Sequence, residues 1–156
     1  MKLDYTTTPV VVLNCKIGAL AIMRSLGSLG VPVYAVDRDE NGPGFSSRYC
    51  RGKFIQDLDE ERPQEYLDYV LAIGKQLGAR SILIPTSDAL SAFVAEYADE
   101  LSERFIFPRN DPRLVKDLMS KEGMYGLARR HGVPTPQTLF PRCLQDVHES
   151  APTITL

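Results

Sequence analysis

Short apolar runs alternate with segments of helical periodicity, and this alternation most constrains how the chain can fold. The runs are rich in β-branched residues, which is typical of strands buried on both faces. They predict five strands, at residues 9–13, 31–36, 53–56, 81–84 and 105–107. Strands that alternate with amphipathic helices form right-handed crossovers on a parallel sheet. We therefore predict an α/β fold, a Rossmann-like three-layer sandwich with a five-stranded parallel sheet.

The helix boundaries follow from capping residues. The first helix repeats apolar residues from Ala19 to Leu29 and precedes Gly30, a residue type that ends helices. A second helix begins at Pro63 and is closed by Gly78. Further helices are expected after 86–88, after 111–112 and over 121–131, and residues 38–52 are predicted to form a polar loop.

Composition and charge exclude several classes of function. The formal net charge of −2 gives no electrostatic reason to expect binding to nucleic acid or to an acidic membrane. No apolar run approaches the roughly 20 residues that span a bilayer, and residues 1–8 lack the pattern of a signal peptide. Cys15, Cys50 and Cys143 are odd in number and widely spaced, which fits reduced thiols. We expect a cytoplasmic protein with no nucleic-acid or membrane partner.

Ligands of parallel α/β sheets bind at the carboxyl ends of the strands, near the point where the strand order reverses. This rule selects three loops, at residues 14–18, 37–51 and 85–88. We expect the three loops to meet at one edge of the sheet and to bind a small-molecule substrate there.

In the first loop Asn14 and Gly18 precede a helix whose backbone N–H groups can receive an anionic group. Asp37 follows the second strand, near the position of a ribose-binding acid in dinucleotide-binding folds. Because Gly18 is the only glycine in that loop, the dinucleotide fingerprint is mostly missing. The alternatives are that Gly18 only makes the turn and that Asp37 only ends the strand.

The other two loops supply hydroxyl and guanidinium groups. Ser47, Arg48 and Arg51 are candidates to bind a carboxylate or phosphate, because arginine offers a planar fork of donors. Solvated loop charge is the alternative. Thr86, Ser87 and Asp88 are further substrate-binding candidates, and each residue type also caps helices.

The residues show no complete catalytic machinery. His131 and His148 have no convincing partner by spacing, and neither a nucleophilic triad nor a metal-ligand spacing is present. The residues by themselves therefore indicate only an α/β domain with a polar face of loops, and we predict no catalytic or metal-binding residues.

A resemblance carries the prediction further. The stretch SKEGMYGLARRHGVPTP at 120–136 begins a short helix at Lys121 and ends it at Gly132-Val133-Pro134. Together with the strand-loop-helix at 9–30, Asp37, SSRYC at 46–50 and PTSDAL at 85–90, it resembles the N-terminal, pre-ATP-grasp domain of carboxylate-amine ligases. The spacing from Lys121 to Gly132 is similar to the version found in biotin carboxylase and carbamoyl phosphate synthetase.

The resemblance implies a ligase that activates a carboxylate as an acylphosphate with ATP and magnesium, before an amine or similar nucleophile attacks it. Lys121 would then contact the ATP phosphates; alternatively it is a solvated residue of a first helical turn. Residues 1–8 would form a tail, 9–131 the pre-ATP-grasp domain, and 132–156 a linker with a truncated start of the ATP-grasp domain. The strand edge predicted at 153–156 belongs to that start.

The implied partners are a small carboxylate or amine substrate and the remaining ATP-grasp domains of the same chain. ATP and magnesium would act in the full-length parent, and no tightly bound cofactor and no ATP turnover are expected of residues 1–156 alone. The alternatives are a Rossmann-type nucleotide or NAD(P)-binding module and a stand-alone interaction domain. The sequence leaves open whether the parent forms a homodimer, and whether the chain is an excised piece or a natural truncation.

Overall fold

The computed structural model describes residues 7–150, and the strand edge predicted at 153–156 lies outside them. Two compact units divide the chain, Met1–Val115 and Lys116–Leu156. The first unit contains the whole sheet. The division falls inside the helix Pro112–Met119, earlier than the proline-glycine segment chosen from the sequence. The assignment of 9–131 to one domain stays a prediction.

A five-stranded, fully parallel sheet forms the centre of the first unit, which confirms the predicted fold class. The strand order is β3-β2-β1-β4-β5. The strands are β1 (Val10–Leu13), β2 (Val33–Asp37), β3 (Cys50–Ile55), β4 (Ser81–Pro85) and β5 (Phe105–Ile106). The order reverses between β1 and β4, so the switch point of the sheet lies between these two central strands.

Helices cover both faces of the sheet. The elements of this unit are α1 (Ile17–Gly27), a 3-10 helix (Pro43–Ser46), α2 (Pro63–Leu77), α3 (Asp88–Glu96) and α4 (Ala98–Leu101). Alternate residues of β1 point to opposite faces: Val10 and Val12 pack with α1, whereas Val11 and Leu13 pack with α2 and α3. All four side chains are at most 1% exposed, which explains why β1 reads as a continuous apolar run.

The capping residues act as the sequence predicted, with one refinement. Pro63 begins α2, and Gly78 ends it with a left-handed φ of 69°. Ser87 is the residue that caps α3, because its side chain accepts the N–H of Leu90. The helix expected after residues 86–88 is interrupted at Tyr97 and resumes as α4.

The prediction for β3 was wrong at its start. The strand begins at Cys50, inside the segment 38–52 that was assigned to a loop. Its residues alternate between half-buried and exposed because β3 is an edge strand. The exposed positions carry Arg51 and Lys53, so the apolar run that would identify a buried strand is missing.

The second unit is helical within the described residues. The helix α5 (Pro112–Met119) crosses the division, and α6 (Lys121–Arg130) and α7 (Leu144–Ser150) follow it. Ser120 caps α6 by accepting the N–H of Gly123 at 2.9 Å, and Gly132 adopts a φ of 66° just after the helix. The predicted limits of α6 are therefore confirmed, whereas α7 was not predicted.

Gly74 provides a test of the packing between α2 and the sheet. A Cβ at this position would lie 2.8 Å from the Cβ of Arg104 and 3.0 Å from the ring of Phe105. We expect Gly74→Ala to lower the free energy of unfolding by about 1–3 kcal/mol, because the buried ring has to move. Urea unfolding followed by circular dichroism measures the change.

Gly18→Ala in α1 is the matched control. Its Cβ would meet the Cβ of Thr86 at 3.7 Å, an ordinary van der Waals distance. We expect this variant to be neutral or more stable by about 0.5 kcal/mol, because alanine favours the helix. Equal losses of stability in both variants would contradict the packing described for Gly74.

Candidate functional site

A cavity of about 300 Å³ opens at the carboxyl ends of the central strands. Its polar lining comes from the loops that follow four strands: Asn14 and Lys16 after β1, Asp37 and Arg38 at the end of β2, Gln56, Asp57 and Glu60 after β3, and Ser87 after β4. Because the strands are parallel, segments far apart in sequence converge at this edge. The cavity lies where ligands of such sheets bind.

Asp37 connects the loop after β1 to the end of β2. Its carboxylate accepts the backbone N–H of Cys15 at 2.5 Å and that of Asp39 at 2.9 Å. The residue is 5% exposed. Lys16 places its ammonium group 4.0 Å from one oxygen of the same carboxylate. A buried carboxylate needs such donors to offset its desolvation, so Asp37 orders the rim of the cavity.

Thr86 makes the corresponding connection from β4 to β1. Its backbone N–H donates to the carbonyl of Leu13 at 3.1 Å. Its hydroxyl lies 3.0 Å from the same carbonyl oxygen and 2.8 Å from that of Asn14, and it shares its one hydrogen between them. Thr86 therefore holds the two sides of the switch point together.

The first turn of α1 has free backbone donors at this edge. Lys16 occupies the cap position, and its side chain accepts no hydrogen bond from the turn. Just before it, Asn14 adopts a left-handed φ of 71°, which asparagine tolerates better than most residues. The first N–H groups of α1 therefore have no side-chain acceptor at the cap position, and a helix start of this kind can receive an anionic group.

Charges of both signs surround the cavity. Lys16 and Arg38 are the cations, and Asp37, Asp57 and Glu60 are the anions. Arg38 pairs with Asp57 at 3.6 Å, and both side chains are largely exposed, so the pair is weak and can exchange partners with a ligand. A lining of this kind suits a ligand that carries both an amine and a carboxylate.

Tyr66 of α2 reaches the cavity from the core. Burial, followed by the nearby carboxylates of Asp37 and Asp57, raises the pKa of its hydroxyl. The hydroxyl therefore stays protonated at neutral pH and can donate a hydrogen bond.

The Cys15 thiol, in the loop after β1, is fully buried, and burial above all raises its pKa to about 12. It cannot act as a thiolate nucleophile at neutral pH.

Of the residues proposed from the sequence, Asn14, Asp37 and Ser87 line the cavity together. Gly18 and Thr86 do not line the cavity, but they adjoin each other, since a Cβ on Gly18 would lie 3.7 Å from the Cβ of Thr86. Asp88 is exposed in the first turn of α3 and does not line the cavity.

The expectation that Ser47, Arg48 and Arg51 lie at the same edge is wrong. Cys50 pairs with Val33, the first residue of β2, so β3 begins at the amino edge of the sheet. A loop between parallel neighbours has to return to that edge, and only its first residues stay at the carboxyl ends. Ser47 and Arg48 instead line a groove beside α1, and Arg51 lies near the start of β3.

The cavity also has lining residues that were not predicted as site residues: Lys16, Arg38, Gln56, Asp57, Glu60 and Tyr66. Gln56 was the last residue of a predicted strand, so the rule for carboxyl ends would have selected the segment after it. Tyr66 lies inside the helix predicted from Pro63 to Gly78, and its ring packs against that of Phe93. Only the tertiary structure shows that it also lines the cavity.

Lys121 is the first residue of α6 in the second unit, and it is exposed. The following Glu122 lies in the same first turn and suits the positive end of the helix dipole, whereas Lys121 does not. In the described part of the chain, no group of three or more His, Cys, Asp or Glu side chains could hold a metal ion.

Comparison with known proteins points to ligases. No family model matches the chain. The chain is 25% identical over 108 residues to a D-aspartate ligase of Enterococcus faecium (strain Aus0004). That alignment covers 67% of this chain and 25% of the ligase, so the chain spans about a quarter of the length of this relative.

Solved structures share the fold. The chain superposes with a TM-score of 0.63 on the N5-carboxyaminoimidazole ribonucleotide synthetase of Thermotoga maritima, at 13% identity, over 92% of this chain and 36% of that one. It superposes equally well, with a TM-score of 0.63, on the L-amino acid ligase of Bacillus licheniformis, at 15% identity, over 83% and 32% of the two chains. These two likenesses show the fold; taken with the alignment to the D-aspartate ligase, they support the resemblance to carboxylate-amine ligases at a coarse level. The comparisons do not single out the biotin carboxylase or carbamoyl phosphate synthetase type.

No helix within residues 7–150 combines the length and the apolar character needed to cross a membrane.

Asp37→Asn tests the rim of the cavity. An amide has one oxygen for two N–H donors and turns its NH2 group toward the other, so one backbone N–H loses its acceptor. We expect the free energy of unfolding to fall by about 1–3 kcal/mol, measured by urea titration. Asp57→Asn removes the same charge from an exposed carboxylate of the same cavity, and we expect it to change stability by less than about 0.5 kcal/mol. A larger loss in Asp57→Asn than in Asp37→Asn would contradict this role of Asp37.

Thr86→Val tests the connection across the switch point. Valine keeps the shape but removes the hydroxyl, so the Asn14 carbonyl loses its donor. We expect a loss of about 0.5–1.5 kcal/mol in thermal unfolding, and a smaller one for Thr86→Ser, which keeps the hydroxyl. If Thr86→Ser costs more than Thr86→Val, the methyl group and not the hydroxyl holds the two loops.

Proposed function

We propose that this chain is the N-terminal, substrate-binding domain of a longer ATP-grasp ligase. The parent would join a carboxylate to an amine or similar nucleophile through an acylphosphate, and this domain would bind the acceptor. The similarity to a D-aspartate ligase supports this class, because that relative is by name an amino-acid ligase. The fold shared with a synthetase and with an L-amino acid ligase is consistent with it.

The single observation that carries the proposal is the cavity at the switch point of the sheet. Its volume of about 300 Å³ suits a small molecule, and its lining combines Lys16 and Arg38 with Asp57 and Glu60. A carboxylate would lie toward Lys16 and the first turn of α1, and an amine toward Asp57 and Glu60. Asn14, Ser87 and Tyr66 would supply the uncharged hydrogen-bonding groups.

ATP and magnesium belong to the remaining domains of the parent in this proposal. Phosphoryl transfer to a carboxylate requires cations around the phosphates, and Lys121 is the candidate that this chain contributes. The described residues do not fit a magnesium site, since no group of three or more His, Cys, Asp or Glu side chains among them could hold a metal ion. We therefore propose that residues 1–156 neither turn over ATP nor bind it tightly.

The contacts of Asp37 argue against a nicotinamide-binding module. In such modules an acid at this position hydrogen-bonds the ribose. Here the Asp37 carboxylate already accepts two backbone N–H groups and faces Lys16. The loop after β1 also lacks the glycines that let a backbone approach a pyrophosphate.

A titration of residues 1–156 tests the site directly. We expect D-aspartate or another amino acid at millimolar concentration to shift the amide resonances of Asn14, Lys16 and Ser87 in a saturable way. Calorimetry with ATP and magnesium, or with nicotinamide cofactors, should show no micromolar affinity. Micromolar binding of a nicotinamide cofactor would replace the ligase proposal, and micromolar binding of ATP would refute the expected dependence on other domains.

Lys16→Gln in the full-length ligase tests the role of the cavity in catalysis. We expect the KM for the acceptor to rise by about tenfold or more, the scale of one charge-assisted hydrogen bond, while the KM for ATP stays unchanged. Lys75→Gln, an exposed lysine near the end of α2, is the charge-matched control. An unchanged acceptor KM in Lys16→Gln would show that the cavity is not the acceptor site.

A further inference from the structure

A second groove, separate from the cavity at the switch point, runs between α1 and the segment that leads into β3. Its volume is about 620 Å³, and its lining includes Arg24, Ser46, Ser47, Arg48 and Tyr49. None of these residues lines the cavity at the carboxyl ends. We call it the α1 groove.

The charged side chains that line the α1 groove are all positive. Arg24 and Arg48 are its ionisable residues apart from Tyr49, and no carboxylate lines it. Within residues 7–150 neither arginine forms an ion pair with an acidic side chain. The whole chain has a formal charge of −2, so two unpaired arginines in one groove contrast with the rest of the protein. Such a groove attracts anions.

Tyr49 holds the guanidinium of Arg48 in place. An Nη of Arg48 donates to the Tyr49 hydroxyl at 2.7 Å, and the guanidinium carbon lies 4.8 Å from the centroid of the same ring. The ring itself packs against Gly27 so closely that a Cβ there would lie 2.5 Å from the Cβ of Tyr49. These contacts favour one orientation of the Arg48 guanidinium, and the hydrogen bond to Tyr49 uses only one of its five N–H donors.

The hydroxyls of the groove are also available as donors. Ser47 accepts the backbone N–H of Tyr49 at 3.3 Å, and the Tyr49 hydroxyl accepts from Arg48. Each hydroxyl uses an oxygen lone pair in these bonds, and its hydrogen remains free to donate. Two guanidinium groups and two hydroxyls thus offer donors to one space, which is the requirement for binding an oxyanion.

The alternative to a binding site is that both arginines are exposed to solvent and bind no ligand. Arg24 lies in the last turns of α1, where a cation interacts favourably with the helix dipole. That effect explains Arg24 alone. It explains neither the ordering of Arg48 by Tyr49 nor the absence of any carboxylate from the lining of the groove.

We propose that the α1 groove is a binding site for an oxyanion, a carboxylate or phosphate group, held between Arg24 and Arg48. The ligand is a second group or molecule, distinct from whatever occupies the cavity at the switch point. The proposal does not depend on the ligase function, because it rests only on the groove itself.

The test titrates residues 1–156 with pyrophosphate and, separately, with malonate, followed by the amide resonances of Arg24, Ser47 and Tyr49. Sodium chloride at matched ionic strength controls for screening. We expect saturable binding of at least one anion at millimolar concentration or below. Tighter binding of pyrophosphate would indicate a phosphate ligand, and tighter binding of malonate a carboxylate; either result supports an oxyanion site.

Three variants assign the binding to the groove. We expect Arg24→Gln and Arg48→Gln each to weaken binding about tenfold or more, the scale of a charge-assisted hydrogen bond. Tyr49→Phe, which keeps the ring but releases Arg48, should weaken it by a smaller factor. Arg113→Gln, an exposed arginine of α5, removes the same charge elsewhere and should leave binding unchanged.

The absence of saturable binding by either anion would overturn the proposal. Equal weakening in Arg113→Gln and Arg48→Gln would also overturn it, because the anions would then respond only to net charge. Shifts confined to Asn14, Lys16 and Ser87 would place the anion in the other cavity and refute the α1 groove without touching the proposed ligase function.

Discussion

The carboxylate of Asp37 is the contact on which the arrangement of the loops at the carboxyl edge of the sheet depends. It is buried at the end of β2 and accepts backbone N–H groups from Cys15 and Asp39. A charge in that position is stable only while those donors face it, so it determines the path of the chain on both sides. Thr86 does the same from β4 by donating to the carbonyls of Leu13 and Asn14. Three loops are thereby joined across the central strands.

In this arrangement some polar side chains hold the loops in place, and others line the cavity. The side chains of Asp37 and Thr86 form hydrogen bonds with the backbone of the neighbouring loops. Lys16, Asp57, Glu60 and Ser87 line the open side, where their charges and hydroxyls can meet a ligand. Polar residues at this edge thus differ in what their side chains contact: those of Asp37 and Thr86 hydrogen-bond the backbone of neighbouring loops, whereas those of Lys16, Asp57 and Glu60 are exposed in the lining of the cavity.

The α1 groove shows the same division on another side of α1. Tyr49 is fixed by close packing on Gly27 and in turn orders Arg48. The cavity at the switch point has a lining of both charges, whereas the charged side chains of the α1 groove are all positive, so the two proposed sites differ in the chemical groups that they suit.

The sequence by itself determined the α/β class, the parallel sheet and most helix limits. These depend on local signals: apolar runs for buried strands, proline and serine at helix starts, glycine with a left-handed φ at helix ends. It also selected Asn14, Asp37 and Ser87, because the end of a buried strand is visible in the residue pattern. The tertiary structure decided the rest. The edge strand β3 lacks an apolar run, and its true start places Arg48 and Arg51 away from the carboxyl edge. Tyr66 lines the cavity because α2 packs on the sheet beside it, and Arg24 and Arg48 line the same groove. Residues that are distant in sequence come together here through contacts between secondary-structure elements, and no local pattern of residues encodes those contacts.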